Sequence, residues 1–413
     1  MTSKKRHRRA HLKVPSAAHK DRERDLDTIR QLNEAYEHGQ DLPRLRKLAA
    51  VRGLVNSELR GRLWVTLSGA DPAAVAPDAY ASASAGPHRD RSVVEVDVAR
   101  SLWGLLPRGA GDEERSERRA ALARLLNAVV VHHGGDVHYY QGLHDVASVL
   151  LLVAGERAAF AILCRLAKGA LRDATRSTLD PVLELLGLMG PVLQAADPEL
   201  ASLCEEVGLP PYYALSWFIT WFAHDVTGGL PDAARLFDLF LAVHPLMPLY
   251  VGAAAMRSQR GALLAAGAGD GGMPALHSAL TRLDVTRALG ADALACEALQ
   301  LYRKLSPEQI LSRRSIRIQM AVAPRAYKDS EGMWRVPEPS RGALSADGRA
   351  GQPPQWRQLQ QALSKLLLPL PGGGGKAPPA AVLLSLGLYT AMAAAAWAVI
   401  RLQEVGGGGL GWG

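Results

Sequence analysis

Aromatic residues and cysteines are scarce in this chain of 413 residues. Phe, Trp and Tyr together make up 6%, and the 3 cysteines are Cys164, Cys204 and Cys296. Because the cysteines are odd in number, far apart and set mostly in apolar surroundings, we predict buried thiols in a reducing compartment and no disulfide framework. Runs of β-branched residues are also scarce, and apolar residues recur mostly at helical spacing. The predicted fold class is therefore all-α.

The sequence also lacks the motifs that hold a nucleotide or activate a serine. No G-x-x-x-x-G-K-[ST] loop and no G-x-S-x-G elbow occurs, and the G-x-G-x-x-G spacing is found only in the glycine-rich stretches 267–272 and 406–411, where no strand is predicted before it. The chain is therefore not expected to bind a nucleotide or a cofactor through these motifs. The run of glycines at 372–375 is typical of a linker.

Histidines and aspartates cluster around the start of one apolar segment, which raises the question of a metal site. Their spacing fits no standard zinc pattern, and no cysteine lies close to them in the sequence. We therefore predict no metal site and interpret these side chains as loop and core residues. The residues concerned are His132, His133, Asp136, His138, His144 and Asp145.

The formal charge of +8 lies almost wholly in residues 1–24. Nine Lys or Arg and two acidic residues there give +7 (9 − 2), which leaves +1 (8 − 7) for the rest of the chain. Since the charge belongs to a tail and not to a folded face, nucleic acid is not an expected partner. We predict a disordered basic arm. A weak attraction to anionic lipid and a nuclear-import-like role are both open for it.

No charged residue interrupts the segment 380–400, which reads AAVLLSLGLYTAMAAAAWAVI. A helix of this length spans about 31 Å, enough for the hydrocarbon core of a bilayer. A Pro/Gly-rich stretch precedes it, and Arg401 follows directly. We predict a single transmembrane helix at 380–400, after a linker at 321–379 and before a short tail at 401–413. A buried alanine-rich helix is the alternative.

Helical periodicity covers most of the chain between these ends. We predict an amphipathic helix at 25–48 and a helix at 52–69 with Gly69 as its C-cap. Two segments rich in small residues interrupt the pattern. We predict that 70–91 is a loop and that 261–274 is a Gly/Ala-rich insert.

Two short motifs carry residues suited to phosphoryl transfer. VEVDVAR places Asp97 and Arg100 on one helical face, although such a pair alone is more simply a surface ion pair. DVHYYQGLHDV places Gln141 and Gly142 at the start of an apolar helix. An arginine suits the charge that develops between phosphates, and a glutamine amide suits the attacking water. Gly142 is expected to let a partner's backbone come close.

The order and spacing of these motifs resemble the TBC domain of Rab GTPase-activating proteins. The resemblance covers about residues 50–320 and implies an all-helical TBC domain over 25–320. It rests on Arg60-x-x-x-Trp64-x-x-Leu67-x-Gly69, on Val94-x-x-Asp97-x-x-Arg100 (with Val where the family usually has Ile), on Tyr139-x-Gln141-Gly142, and on ALSWFITWFAHD and RLFDLFLAVHPLMPLY.

The resemblance implies a role for each site residue. The catalytic residues offered to a Rab in its GTP form would be Arg100 and Gln141. The residues that support them would be Asp97, Tyr139 and Gly142. The Rab-binding groove would contain Trp64, His144 and Asp145. Because the Rab would carry GTP and magnesium, the chain itself would need no cofactor.

HYYQGLHDV, LSWFITWFAHD and FLAVHPLMPLY are most similar to an endoplasmic-reticulum member of the family that has a membrane anchor. That similarity implies a Rab of the Rab-one type, in traffic from the endoplasmic reticulum to the Golgi. It also implies a location in the endoplasmic-reticulum membrane with the domain facing the cytosol. A non-catalytic Rab-binding or membrane-organising scaffold on the same fold is the alternative. The presence of Arg100 and Gln141 favours a GTPase activator.

Overall fold

The computed structural model of the chain describes residues 17–37, 41–102, 104–106, 109–269, 271–313 and 318–327. All regular structure in these residues is helical, which confirms the predicted all-α class. The α-helices in chain order are α1 (Ala17–Glu37), α2 (Leu42–Arg52), α3 (Ser57–Ser68), α4 (Pro77–Ala85), α5 (Arg91–Ala99), α6 (Asp112–His132), α7 (Leu143–Ala154), α8 (Glu156–Lys168), α9 (Asp180–Leu186), α10 (Met189–Ala196), α11 (Pro198–Glu206), α12 (Leu215–Ile219), α13 (Leu230–Ala242), α14 (Met247–Ser258), α15 (Arg260–Ala268), α16 (Gly272–Thr281), α17 (Gly290–Lys304), α18 (Pro307–Leu311) and α19 (Ala323–Ala326), with a 3-10 helix at Pro211–Ala214 before α12.

Helices α13 and α14 form the centre of the core. Every residue from Ala233 to Ala242 is buried, and so is every residue from Met247 to Met256. A helix that is buried on all sides must be covered on all sides. Accordingly α13 packs on α2, α3 and α17, and α14 packs on α10 and α17. Helix α7 is buried in the same way against α3, α6 and α8, and α5 packs on α6 and α7. This packing places the end of α5 near the start of α7.

Helix α3 ends where the sequence predicts, but it begins at Ser57 and not at residue 52, which is the end of α2. The Asn56 side chain accepts a hydrogen bond from the Leu59 backbone N–H at 2.9 Å, which caps the helix. Gly69 adopts a left-handed conformation at the other end, with φ 64° and ψ 29°. Because that conformation strains residues with a Cβ, Gly69 is a natural C-cap. The predicted C-cap at Gly69 is confirmed.

Three segments differ from the structure that the sequence predicts for them. Residues 25–48 contain parts of two helices because Asp41 caps a new helix, with Pro at its first turn. The predicted loop at 70–91 contains α4, since alanine favours helix and Tyr80 is buried in the core. The predicted insert at 261–274 lies in α15 and α16, which bury Leu263 and Leu276.

The predicted domain boundaries also shift. Helix α1 begins at Ala17, so the arm predicted as disordered over 1–24 overlaps a helix. The chain packs on the domain past residue 320, because the buried Asp173 carboxylate accepts the backbone N–H groups of Val322 and Ala323 at 3.0 and 2.9 Å. The predicted transmembrane segment 380–400 lies outside the described residues. Within the described residues, no helix is long and apolar enough to cross a membrane.

A buried carboxylate joins three parts of the domain. Asp238 on α13 is fully buried, and its Oδ2 accepts hydrogen bonds from Arg60 Nη2 at 2.9 Å and from the Leu54 backbone N–H at 2.9 Å. Its Oδ1 accepts a hydrogen bond from Trp64 Nε1 at 2.8 Å. Helix α13, helix α3 and the segment before α3 are thereby held in one arrangement.

We expect Asp238→Ala to lower the free energy of unfolding by about 3–5 kcal/mol, because it leaves the Arg60 charge without its buried partner. Chemical denaturation followed by circular dichroism measures this. The matched control is Asp112→Ala, since Asp112 forms its ion pair with Arg115 while fully exposed. That change should cost less than about 1 kcal/mol. Similar losses for both variants would show that Asp238 has no special structural role.

Candidate functional site

Arg100 stands at the C-terminal end of α5 with its side chain partly in solvent. It is the residue that ends the helix, and its side chain is 35% exposed. Its Nη2 donates to Asp97 Oδ1 at 2.5 Å, and the Asp97 side chain is only 3% exposed. A guanidinium has five N–H donors, and among the described residues this one has Asp97 as its acceptor. Donors are therefore available for a ligand on the solvent side.

The second oxygen of Asp97 binds the loop before α7. Tyr139 Oη donates to Asp97 Oδ2 at 2.7 Å. The Tyr139 backbone N–H in turn donates to Asp90 Oδ2 at 3.1 Å, at the start of α5. Ser101 Oγ donates to the Asp97 carbonyl at 2.6 Å. Asp97 therefore holds the guanidinium end of the Arg100 side chain and couples α5 to the loop.

The buried ring of His144 completes this network. Its Nδ1 lies 3.0 Å from Tyr139 Oη and accepts the Gly142 backbone N–H at 3.3 Å. Because Nδ1 accepts from an N–H, we assign the ring proton to Nε2, which lies 3.5 Å from Asp145 Oδ1. With Nδ1 an acceptor, the Tyr139 hydroxyl proton points to Asp97, the closer acceptor.

Gln141 has an unsatisfied amide. The residue is 8% exposed, and its Nε2 is buried without a hydrogen-bond partner among the described residues. A buried donor with no acceptor costs about 1–3 kcal/mol, and native structures contain few of them. The loop around it is rigid, since the neighbouring Tyr140 donates its hydroxyl to the Ile219 carbonyl at 2.8 Å. The amide is thus held in place with a donor that a ligand could satisfy.

Gly142 is required by the fold of the loop itself. It has φ +116°, and a Cβ there would lie 3.1 Å from Thr220 Cγ2 and 3.5 Å from Ile219 side-chain carbons. The missing side chain therefore makes room for the end of α12. The expectation that Gly142 admits a partner's backbone was wrong, because the space is already filled from within.

Comparisons with known proteins agree with the arrangement of these motifs. The Rab-GTPase-TBC domain model matches residues 57–264. The chain belongs to the Rab-GTPase-TBC domain family. Human TBC1 domain family member 20 is 30% identical over 297 residues, which are 70% of this chain and 70% of that protein. The GTPase-activating protein gyp10 of Schizosaccharomyces pombe is 33% identical over 231 residues, 56% of this chain and 61% of that protein.

A solved structure shows the same fold. The crystal structure of the Chlamydomonas flagellar RabGAP TBC domain superposes with a TM-score of 0.50 at 19% identity, covering 70% of this chain and 96% of that one. At this identity the likeness concerns the fold alone. The TBC domain of the present chain is thus recognised both by its sequence and by its helical arrangement.

The residues predicted for the Rab-binding groove differ in how far they are exposed. Trp64 is fully buried and donates its Nε1 to Asp238, so the prediction that it lines the groove was wrong. Its large ring belongs to the core, packed on Phe237 with ring centroids 5.8 Å apart. The His144 side chain, 7% exposed, accepts the Gly142 backbone N–H and lies against the Tyr139 hydroxyl instead of facing a partner. Asp145 remains partly exposed beside it.

Two further residues of the TBC domain adjoin Asp145, and sequence reasoning gave them no role. His224 Nδ1 lies 3.7 Å from Asp145 Oδ2, an oxygen that is buried without a hydrogen bond. Burial raises the pKa of the neighbouring Asp225 to about 6, although His224 and the Ser216 hydroxyl oppose the rise. Both residues end the quoted segment ALSWFITWFAHD. Its sequence carries no signal of where they lie, because left-handed Trp221 and Phe222 turn the chain back.

We expect Gly142→Ala to destabilise the TBC domain by about 1–3 kcal/mol through backbone strain, and further through contact with Thr220. Gly155→Ala is the matched control, since Gly155 has φ +78° and open space around its Cβ position. Chemical denaturation should show the larger loss for Gly142→Ala. Adding Thr220→Ser, which removes the methyl group, should restore part of it. Equal losses at the two glycines would contradict a packing role for Gly142.

Proposed function

We propose that this chain is a GTPase-activating protein that stimulates GTP hydrolysis by a Rab, with Arg100 and Gln141 as its two catalytic residues. Membership of the TBC family and the name of the yeast relative support the activity class. One observation carries the assignment of residues. Arg100 is partly exposed on a buried carboxylate, and the Gln141 amide is held rigid and unsatisfied, with Tyr139 linking the two motifs.

Arg100 supplies positive charge to the transition state. During transfer of the γ-phosphoryl group to water, charge develops on the oxygens between the β- and γ-phosphates. The guanidinium keeps its charge at any physiological pH and bonds two oxygens at once. Asp97 holds one nitrogen, so the side chain is aligned before the Rab arrives. Less rotamer freedom is then lost on binding.

Gln141 orients the attacking water. Its amide has both donors and an acceptor, so it can receive a water proton at Oε1 and donate from Nε2 to an oxygen on the partner. The Nε2 donor already lacks a partner in the free protein. Binding therefore has no hydrogen bond to break there, and the partner's oxygen restores the bond that burial removed. GTP and magnesium come with the Rab, so this chain contributes side chains alone.

Tyr139 and His144 act as positioning residues for Arg100 and Gln141. Tyr139 binds Asp97, and His144 accepts from the Gly142 N–H next to Gln141. A shift of either group would move both catalytic side chains together. The alternative of a non-catalytic Rab-binding or membrane-organising scaffold gives no reason to keep an unsatisfied amide on the loop whose Tyr139 binds the carboxylate that aligns Arg100. The activator is therefore the better proposal.

The substrate and the location are proposed from the resemblance of the motifs HYYQGLHDV, LSWFITWFAHD and FLAVHPLMPLY to an endoplasmic-reticulum member of the family. On that ground we propose a Rab of the Rab-one type in traffic from the endoplasmic reticulum to the Golgi. We further propose that residues 380–400 anchor the chain in the endoplasmic-reticulum membrane with the TBC domain in the cytosol. The support is the uncharged sequence of that segment.

We expect Arg100→Ala to reduce stimulated hydrolysis by about 10³–10⁵-fold, because an arginine finger is worth that much in kcat. Arg100→Lys should also be poor, since an ammonium cannot bridge two oxygens. Gln141→Ala should also reduce stimulated hydrolysis strongly. The variant with both Arg100→Ala and Gln141→Ala should be little worse than either single variant. Asp97→Asn should reduce stimulated hydrolysis less than Arg100→Ala, because the guanidinium remains. The measurement is single-turnover hydrolysis on a panel of GTP-loaded Rabs that includes the Rab-one type.

Arg91→Ala is the control for these variants. Arg91 lies on the same helix, is similarly exposed, and donates to Glu95 and to the backbone carbonyls of Ala85 and Gly86. It should keep wild-type stimulation, and circular dichroism should show an intact fold for every variant. If Arg100→Ala keeps more than about a tenth of the stimulation, the two-residue mechanism is wrong. If neither the wild-type chain nor any variant stimulates hydrolysis while all of them bind the Rab alike, the scaffold alternative is correct.

We expect the full chain to stay with membranes after carbonate extraction, and a chain without residues 376–413 to become soluble, because the apolar span then is gone. Deleting residues 1–16 is the control. It removes basic charge while keeping the span, so it should leave extraction unchanged. Release of the full chain by carbonate would refute the anchor.

A further inference from the structure

Three side chains of the types that bind metal ions lie close together where the C-terminal end of α6 meets the middle of α8. The residues are His132, His133 and Cys164, and their ligand atoms all lie within 4.8 Å of one another. Our sequence prediction of no metal site rested on the absence of a cysteine near the histidines. Packing of α8 on α6 supplies that cysteine from a distant part of the chain.

His133 presents an unpartnered ring nitrogen to this cluster. Its Nε2 is buried and has no hydrogen-bond partner among the described residues. Native structures contain few buried polar atoms without a partner, and a metal ion bound to this nitrogen would satisfy it.

The distances suit a small tetrahedral ion. With zinc–nitrogen bonds of about 2.0–2.1 Å and zinc–sulfur bonds of about 2.3 Å, tetrahedral ligand atoms lie about 3.3–3.6 Å apart. The ligand atoms of the cluster lie within 4.8 Å of one another, so side-chain rotations must bring them closer when the ion binds. His132 is exposed, and its ring packs on His133 and Phe160 with centroids 4.9 and 5.6 Å apart.

We propose that His132, His133 and Cys164 form a zinc-binding site, with water in the fourth position. Two imidazoles and one thiolate favour zinc over magnesium or calcium, which prefer oxygen ligands. On binding, the sulfur–zinc bond forms as the thiol S–H bond breaks, and its proton leaves to solvent. No electron is transferred in this step.

Zinc there would join α6, α8 and the start of the loop that carries Tyr139 and Gln141. Asp136, in that loop, already forms an ion pair with Lys168, the last residue of α8, at 2.7 Å. The metal would add a second link at the same junction. Binding to the folded state alone would raise the melting temperature of the protein. This inference does not depend on the proposed GTPase-activating function.

The test uses the full chain, stripped with chelator and titrated with Co²⁺ as a spectroscopic substitute for zinc. We expect one ion per chain, a cobalt–thiolate charge-transfer band in the near-ultraviolet, and displacement of the cobalt by Zn²⁺. Zn²⁺ should also raise the melting temperature. Cys164→Ser should abolish the thiolate band, and His132→Ala should weaken binding by about 100-fold. His132 is exposed, so its removal should not prevent folding.

Cys204→Ala and Cys296→Ala are the matched controls, one for a buried thiol and one for an exposed thiol. Both should retain the band and the affinity. Absence of a thiolate band in the wild-type chain would overturn the proposal. So would a band that persists in Cys164→Ser and disappears in Cys296→Ala, because the metal would then sit at the exposed thiol. An affinity unchanged by His132→Ala would equally refute the three-residue site.

Discussion

The buried carboxylate of Asp238 is the interaction on which the arrangement of the domain depends. A charge in the interior is tolerated only when it is paired and its lone pairs are used. Asp238 meets this requirement with donors from Arg60, Trp64 and the Leu54 backbone. These donors fix α3 against α13, and α3 also packs on α7 and α8. The position of α7, which begins just after Gln141, follows from this pairing.

Asp97 is a second buried carboxylate that is paired with an arginine, but this arginine is more exposed. Both carboxylates are buried and both bind an arginine, but the arginines differ in exposure, with Arg60 at 11% and Arg100 at 35%. Arg60 lies almost wholly among the residues it stabilises. Arg100 has solvent on one side, because it stands where α5 ends. Because Arg100 stands at a helix end, its ion pair is open to solvent. The ion pair of Arg60 lies within the packed helices and is structural.

The sequence predicted those features that depend on local signals. The all-α class, the Gly69 cap and the proximity of Asp97 to Arg100 follow from periodicity, from a glycine at a helix end and from i,i+3 spacing. What was missed at the site and in the metal cluster depends on distant contacts. Thr220 fills the space at Gly142, Asp238 draws Trp64 inward, and α8 carries Cys164 to the histidines. No single-sequence pattern contains such contacts, because they arise only when helices pack.

The site retains polar groups that the fold does not satisfy. Gln141 Nε2 and Asp145 Oδ2 are both buried without hydrogen bonds among the described residues. Each costs about 1–3 kcal/mol, a substantial part of the 5–15 kcal/mol or so by which a domain is stable. The chain cannot relieve Gln141 by moving the loop, because the Tyr139 and Tyr140 hydroxyls hold it at Asp97 and Ile219. A rigid loop thus keeps an unsatisfied donor in the folded domain, so the same bonds that stabilise the fold also maintain a polar group that the fold itself leaves without a partner.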